Sequence, residues 1–373
     1  MFFSISKESF NNASIFSEKK IIKGFYVSLD KEWKQKKQYL YKGYCLGNSI
    51  ENKIANKNFI EEEGNYCIID FSSGEVNFYT DHTRSFRFYY NENIATNLYC
   101  ENLTPVYFNG CVRYKLDKFT FYKKVNSMLR FDPNKNYLSK NVLVDVLCEH
   151  LINASQNLYC DRKLIGIDSK GYDTALVRSA FDYIGKKYNL KSQESSNNLK
   201  HLGSSYDVFY LTNEPHIQLV GHGSECFLSE STITDKYFKN WGQYLLNPHG
   251  INLDHEFERN SCGYNSKYYH TYKKKNNIEV NNVVNYKNPK KTAFLQVCNI
   301  ALNSNHNMWH YNNTLTFTPF RNKNLLNKFL YADPDALLSQ MIDKDITRRA
   351  IKKLNPKVLE SVSQYKESRF SDC

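Results

Sequence analysis

The segment from Lys163 to Tyr188 constrains the fold of this chain more than any other. Lys163-Leu164-Ile165-Gly166-Ile167-Asp168 is a short apolar run with strand character, and Ser169-Lys170-Gly171-Tyr172 is a turn. Asp173–Tyr188 then places Leu176, Val177, Ala180, Phe181 and Ile184 on one helical stripe. A strand that passes through a tight turn into a helix is the opening of a βαβ unit, which calls for a parallel sheet. Neighbouring segments agree. Leu143, Val146, Leu147, His150 and Leu151 recur at helical spacing within Asn141–Leu158. Asp207–Leu211 and Ile217–Val220 read as further strands. Short helices are expected over Asn324–Tyr331, Pro334–Met341, Asp345–Lys353 and Lys357–Tyr365. The expectation is an α/β domain over residues 135–373, and open sheets of that class bind ligands at the carboxyl ends of their strands.

Two such strand ends carry chemistry. In Ile167-Asp168-Ser169-Lys170-Gly171-Tyr172-Asp173-Thr174 the helix start presents backbone N–H groups and the positive end of a dipole, a setting that favours phosphate. Ser169 and Thr174 add hydroxyls, and Asp173 is a carboxylate of the kind magnesium takes together with phosphate oxygens. A βα turn capped by an aspartate would look the same, so this segment alone leaves a structural turn and a nucleotide site both open. The second strand end is Leu219-Val220-Gly221-His222-Gly223-Ser224-Glu225, again glycine, hydroxyl and carboxylate. Together the two suit a metal-bound triphosphate across adjacent strand termini. Lys344 reads as a surface residue at a helix start. His249, His255 and His270 lack the spacing of a metal site, and Ser224 lacks the Gly-x-Ser-x-Gly elbow of a hydrolase.

The first third of the chain has a different rhythm. From Gly24 to Asn91 apolar and aromatic residues alternate between turn signals. Tyr66–Phe71 and Glu75–Tyr79 form an expected hairpin around Ser72-Ser73-Gly74, with Phe86–Tyr90 as the next strand. The expectation is a β-rich domain over residues 1–125, packed largely by Tyr and Phe, since aromatic residues make up 15% of the chain. A net charge of +12 points to an anionic ligand. The Lys- and Asn-rich stretch Asn252–Lys291 reads as a solvated excursion; nucleic-acid contact is less favoured, because no RNA- or DNA-binding motif accompanies it. No window approaches the roughly 18 apolar residues of a membrane span. Met1–Phe10 shows no leader pattern, and the ten cysteines are scattered singly. These features lead to the expectation of a cytoplasmic chain with reduced thiols and no membrane partner.

Read together, the motifs resemble the asparagine synthetase family. Ser169-x-Gly171-x-Asp173-Thr174 is similar to its pyrophosphate loop, Ser-Gly-Gly-x-Asp-Ser, and Gly221–Glu225 to its Gly-Glu-Gly-Ser-Asp-Glu. Thr318-Pro319-Phe320 resembles its Arg-x-Pro-Phe-Leu-Asp element, and Lys344–Ala350 its Lys-x-x-Leu-Arg-x-Ala helix. Leu354-Asn355-Pro356 lies near its Leu-Pro, and Tyr365–Asp372 resembles its terminal Arg-x-Lys-x-x-Phe-Ser-Asp. Gly64–Asp70 and Thr80–Tyr90 are similar to strands of its glutaminase-like domain. The resemblance runs from about residue 60 to the end.

It implies a degenerate glutaminase-like domain followed by an ATP pyrophosphatase domain. The implied activity is ATP–Mg2+-dependent adenylation of a small-molecule or peptide carboxylate, then its transfer to an amine or ammonia. Carried over by position, Ile167, Asp168, Ser169, Lys170, Gly171, Asp173, Thr174, Gly221, Gly223 and Ser224 would bind the nucleotide, and Asp173 and Glu225 the magnesium. Lys366 would stabilise the acyl transition state, and His222 stands where relatives carry an acid/base Glu or Tyr. The departures are informative. Phe2 stands where the family has its nucleophilic cysteine, so glutamine hydrolysis is not expected. Lys170 replaces a loop glycine, Glu225 an aspartate and Cys226 a glutamate. The span from Thr174 to Gly221 is short for the family. An RNA-modifying ATP pyrophosphatase and a non-catalytic scaffold are the alternatives, and a homodimer is left open.

Overall fold

The computed structural model describes residues 2–59, 62–72, 74–81, 88–98, 100, 102–105, 110–123, 135–159, 161–168, 171–192, 214–221 and 313–362. The amino-terminal part contains two antiparallel sheets of six strands each. One is built from β1 (Phe3–Ser6), β2 (Glu18–Ile22), β3 (Phe25–Leu29), β8 (Tyr89–Tyr90), β9 (Ile94–Thr96) and β10 (Thr104–Pro105), in the order β10-β8-β9-β1-β3-β2. The other holds β4 (Lys34–Lys36), β5 (Tyr39–Cys45), β6 (Gly64–Asp70), β7 (Val76–Thr80), β11 (Gly110–Lys115) and β12 (Lys118–Lys123), in the order β12-β11-β7-β6-β5-β4. The expected hairpin is β6–β7, with Ile69 opposite Phe78. Strand β7 alternates as its sequence does: Val76, Phe78 and Thr80 are buried and the residues between them half-buried.

The inner faces of the two sheets share one aromatic core. Phe3 lies at its centre, with ring centroids 5.4 Å from Phe78, 5.5 Å from Phe88 and 5.8 Å from Trp33. Helix α1 (Ile50–Ala55), capped by Ser49, lays Ile50 and Ile54 on the outer face of the second sheet against Tyr39, Tyr41, Tyr66 and Ile68. Inside sits a fully buried ion pair, Lys42 Nζ to Asp30 Oδ2 at 2.8 Å. Asp30 Oδ1 also accepts the Phe2 backbone N–H at 2.9 Å and the Trp33 indole N–H at 2.8 Å. The strand-rich character expected from Gly24 onward therefore begins earlier, at Phe3. Strands β1 and β2 lie ahead of the first legible alternation, and β2 is a lysine-bearing edge strand with half-exposed residues.

The second part is an α/β unit. Four parallel strands, β13 (Lys163–Asp168), β14 (Asn189–Ser192), β15 (His216–Leu219) and β16 (Thr314–Phe317), lie in the order β14-β13-β15-β16. Helices α2 (Lys140–Gln156), α3 (Tyr172–Tyr183), α4 (Lys323–Phe329), α5 (Pro334–Asp343) and α6 (Asp345–Leu354) pack with the sheet around one apolar core, and a last helical segment covers 356–362. The expected helices are present, the last of them, Lys357–Tyr365, as far as the described residues reach. Helix α3 stops five residues before the expected Tyr188. Gly185, at φ +69°, donates to the Asp182 carbonyl while Lys186 donates to that of Phe181, a glycine-centred stop that returns the chain to the sheet. The strands β14 and β16 escaped sequence reading: Asn-Leu-Lys-Ser and Thr-Leu-Thr-Phe are each too short to show a period. The expected strand Asp207–Leu211 and the polar stretch Asn252–Lys291 lie outside the described residues, as does Phe86–Arg87 of the expected third strand. No helix among the described residues is long and apolar enough to cross a membrane.

The sandwich grips the α/β unit through β5. The Tyr44 hydroxyl donates to the Thr316 carbonyl at 3.0 Å and accepts the Thr318 N–H at 3.1 Å, tying down the exit of β16. Burial pushes the Tyr44 phenol far above its ordinary value, so it stays protonated and keeps donating. Gly47 N–H donates to the Asn157 carbonyl at the end of α2, and Leu46 bridges Leu158. Tyr44→Phe removes a donor from the Thr316 carbonyl and an acceptor from the Thr318 N–H, and is expected to cost about 2 kcal/mol. Urea unfolding checks this, and an unchanged midpoint would show that Tyr44 does not hold the two units together.

Candidate nucleotide site at the switch point of the parallel sheet

The strand order β14-β13-β15-β16 has a consequence for binding. From β13 the chain moves to one side to form β14, then returns past β13 to form β15 and β16. The strand order therefore reverses between β13 and β15, and in open sheets of this class such a switch point is where ligands bind, at the carboxyl ends. The described residues of both motifs, Gly171–Thr174 and Gly221, sit at this point. Gly171 is the extended N-cap of α3, and Asp173 and Thr174 occupy its first turn. Gly221 lies two residues past the end of β15 and rests on that turn: its N–H donates to Thr174 Oγ1 at 3.2 Å. A Cβ at Gly221 would stand 2.5 Å from the Asp173 carbonyl carbon and 2.6 Å from the Thr174 nitrogen, so a side chain here would push the two strand ends apart.

The other expected site residues fare differently. Ile167 is fully buried and packs with Ile165 and Val220, which leaves only its backbone for a ligand. Asp168 is paired with Arg178 Nη2 of α3 at 3.5 Å. Ser169, Lys170, His222, Gly223, Ser224, Glu225 and Lys366 lie outside the described residues. The structure thus brings together Gly171, Asp173, Thr174 and Gly221.

It also adds a residue that the sequence reading placed elsewhere. Lys344, expected on the surface, is buried, with its side chain 6% exposed. Its ammonium donates to both oxygens of Asp173, at 2.8 Å to Oδ1 and 3.0 Å to Oδ2. It is the single residue between α5 and α6, in the left-handed conformation at φ 56° and ψ 30°. That backbone turns its side chain back over the start of α3 instead of out to water. The available signal was its position at the head of the Lys344–Ala350 element, not its polarity.

Among the described residues no three His, Cys, Asp or Glu side chains converge. Magnesium asks for less, since it keeps several waters and takes one or two carboxylates alongside phosphate oxygens. Asp173, with its side chain 26% exposed, fits that requirement as a single protein ligand. A cavity of about 350 Å³ lies at the opposite, amino end of the strands, beside Tyr41, Tyr44, Arg162 and Leu315. Its charges are already matched: the Tyr41 hydroxyl donates to Glu51, Lys34 bridges Glu51 and Asp161, and Arg162 pairs with Glu32. It reads as the seam between the two units. No family model and no curated protein matches this chain.

Proposed function

We propose that the chain is an ATP-dependent, AMP-forming carboxylate–amine ligase of the asparagine synthetase kind, working without glutamine hydrolysis. What supports the reading is the meeting of Gly221 with Asp173 and Thr174 at the switch point of a parallel sheet, where two separate motifs of the resemblance would have to meet. In this reading a substrate carboxylate attacks the α-phosphorus of ATP and pyrophosphate leaves. An amine then displaces AMP from the mixed anhydride. A carboxylate is a poor acyl donor, and the AMP leaving group makes it a good one.

The residues divide the work. The amides at Gly171–Asp173 face the phosphates, and Gly221 keeps the crevice narrow because it has no side chain. Asp173 would hold magnesium, which supplies positive charge to the departing pyrophosphate. The amino-terminal sandwich buries Phe2 beside Ile15 and Phe16, bound through its N–H to Asp30, and serves as a platform for β16.

The test is ATP–pyrophosphate exchange with the full chain against a panel of small-molecule and peptide carboxylates. Exchange that requires one carboxylate and magnesium, and that disappears in Asp173→Ala, is the expected result. A chain that binds no ATP with or without magnesium defeats the reading. One observation favours a second reading, a nucleotide-binding scaffold: Asp173 is fully engaged by Lys344. ATP binding with no exchange on any carboxylate would select it. Salt-sensitive retention of RNA would instead point to an RNA-modifying pyrophosphatase.

A further inference from the structure

We propose that Lys344 and a divalent cation are alternative partners of Asp173, and that Lys344 turns to the polyphosphate when the cation takes its place. This rests on the nucleotide-site reading above and adds to it a residue role and an order of events. The Lys344 ammonium is nearly buried and holds both oxygens of one carboxylate at 2.8 and 3.0 Å. Among the described residues Asp173 is the acid that meets it. A metal ion on Asp173 would put two further positive charges within a few ångströms of that ammonium, in a setting poorly screened by water. The free ion alone therefore gains little, because it must first evict a cation already in place. A polyphosphate arriving with the ion changes the balance, because its oxygens give the displaced ammonium a new anionic partner.

The backbone points the same way. A residue alone between two helices at φ 56° is a place where glycine or asparagine would sit with less strain. The chain carries lysine there, and the same left-handed turn aims its side chain at Asp173.

The experiment titrates the full chain with three probes: Mn2+ alone, followed by electron paramagnetic resonance, and ATP with EDTA and MgATP, followed by calorimetry. Wild type should bind Mn2+ alone weakly, and Lys344→Met should bind it about tenfold or more tightly, because Asp173 is released. Lys344→Met should bind ATP in EDTA about tenfold or more weakly. Asp173→Asn should do the reverse, binding ATP in EDTA more tightly than wild type and losing the Mn2+ response. Methionine keeps the length and the apolar contacts of the stem, and Asp173 is exposed enough to be hydrated once freed. If Lys344→Met fails to fold, the Asp173→Asn arm still decides, since it leaves Lys344 in place. Equal Mn2+ affinity in wild type and Lys344→Met, or metal-free ATP affinity unchanged in Asp173→Asn, overturns the exchange of partners while MgATP binding to wild type leaves the nucleotide site standing. Absence of any ATP binding to wild type overturns both.

Discussion

Asp30→Ala is expected to lower the stability of the folded chain by about 3–5 kcal/mol, because it leaves a buried ammonium without its counter-charge. Asp30 takes three donors at once: the Phe2 N–H, the Trp33 indole and the Lys42 ammonium, all within 3 Å. The Lys42 side chain is fully buried. Burial pulls its pKa down, and the charge and hydrogen bond of Asp30 pull it part of the way back. Without Asp30 the downward pull of burial loses its main opponent, so the folded state binds fewer protons than the unfolded state over a wider range of pH. Stability then rises with pH through that range. The deficit should be largest at neutral pH and shrink as the solution approaches the ordinary lysine range near about 10.4. Urea unfolding at several pH values checks both statements. The double variant Asp30→Asn with Lys42→Met, which removes both charges and keeps the shapes, should recover most of the loss. A loss below about 1 kcal/mol in Asp30→Ala, or a deficit that grows with pH, would mean that the pair does not hold the sandwich together.

Gly43→Ala should be as damaging for a different reason. Gly43 lies within β5 opposite Tyr66 of β6, at φ +113°. A Cβ there would stand 2.0 Å from the Asn65 carbonyl oxygen and 2.6 Å from the Tyr66 Cα. Both are backbone atoms of a paired strand, which cannot swing aside as a side-chain tip could. Overpacking costs about 1–3 kcal/mol and the backbone conformation a similar amount, so a loss of about 3 kcal/mol or more is expected. The neighbouring residue is Tyr44, so the distortion should also loosen the exit of β16 and reduce ATP binding at the switch point. Gly47→Ala is the control: at φ +78° it meets the same kind of backbone strain, but nothing lies within 4 Å of its Cβ. It should cost only about 1–2 kcal/mol. Equal losses at the two positions would show that strain alone, not close strand approach, governs Gly43.

These two sites illustrate what could and could not be read in advance. Helix α2, the strand–turn–helix at residues 163–183 and the β6–β7 hairpin were legible because each rests on a local rule. Apolar residues at helical spacing specify a buried stripe, and alternation specifies a half-buried strand. The structure adds a cap to the helix expected from Pro334: the Asp333 carboxylate accepts the N–H groups of Asp335 and Ala336. Lys42 and Lys344 were not legible, because a lysine in sequence reads as solvated. Each becomes buried only through an acid that the fold delivers from another element.

By itself, then, the sequence determined where the strongly patterned strands and helices form and which segments carry glycine, hydroxyl and carboxylate. The tertiary structure decided which of those segments are neighbours. The order β14-β13-β15-β16 sets Gly221 on Thr174, and a left-handed residue between two helices carries an ammonium back across 171 positions of chain to Asp173. The physical reason is that a local pattern fixes what one segment prefers to bury, whereas a contact between distant segments depends on sheet order and register, which emerge only when all segments share one core.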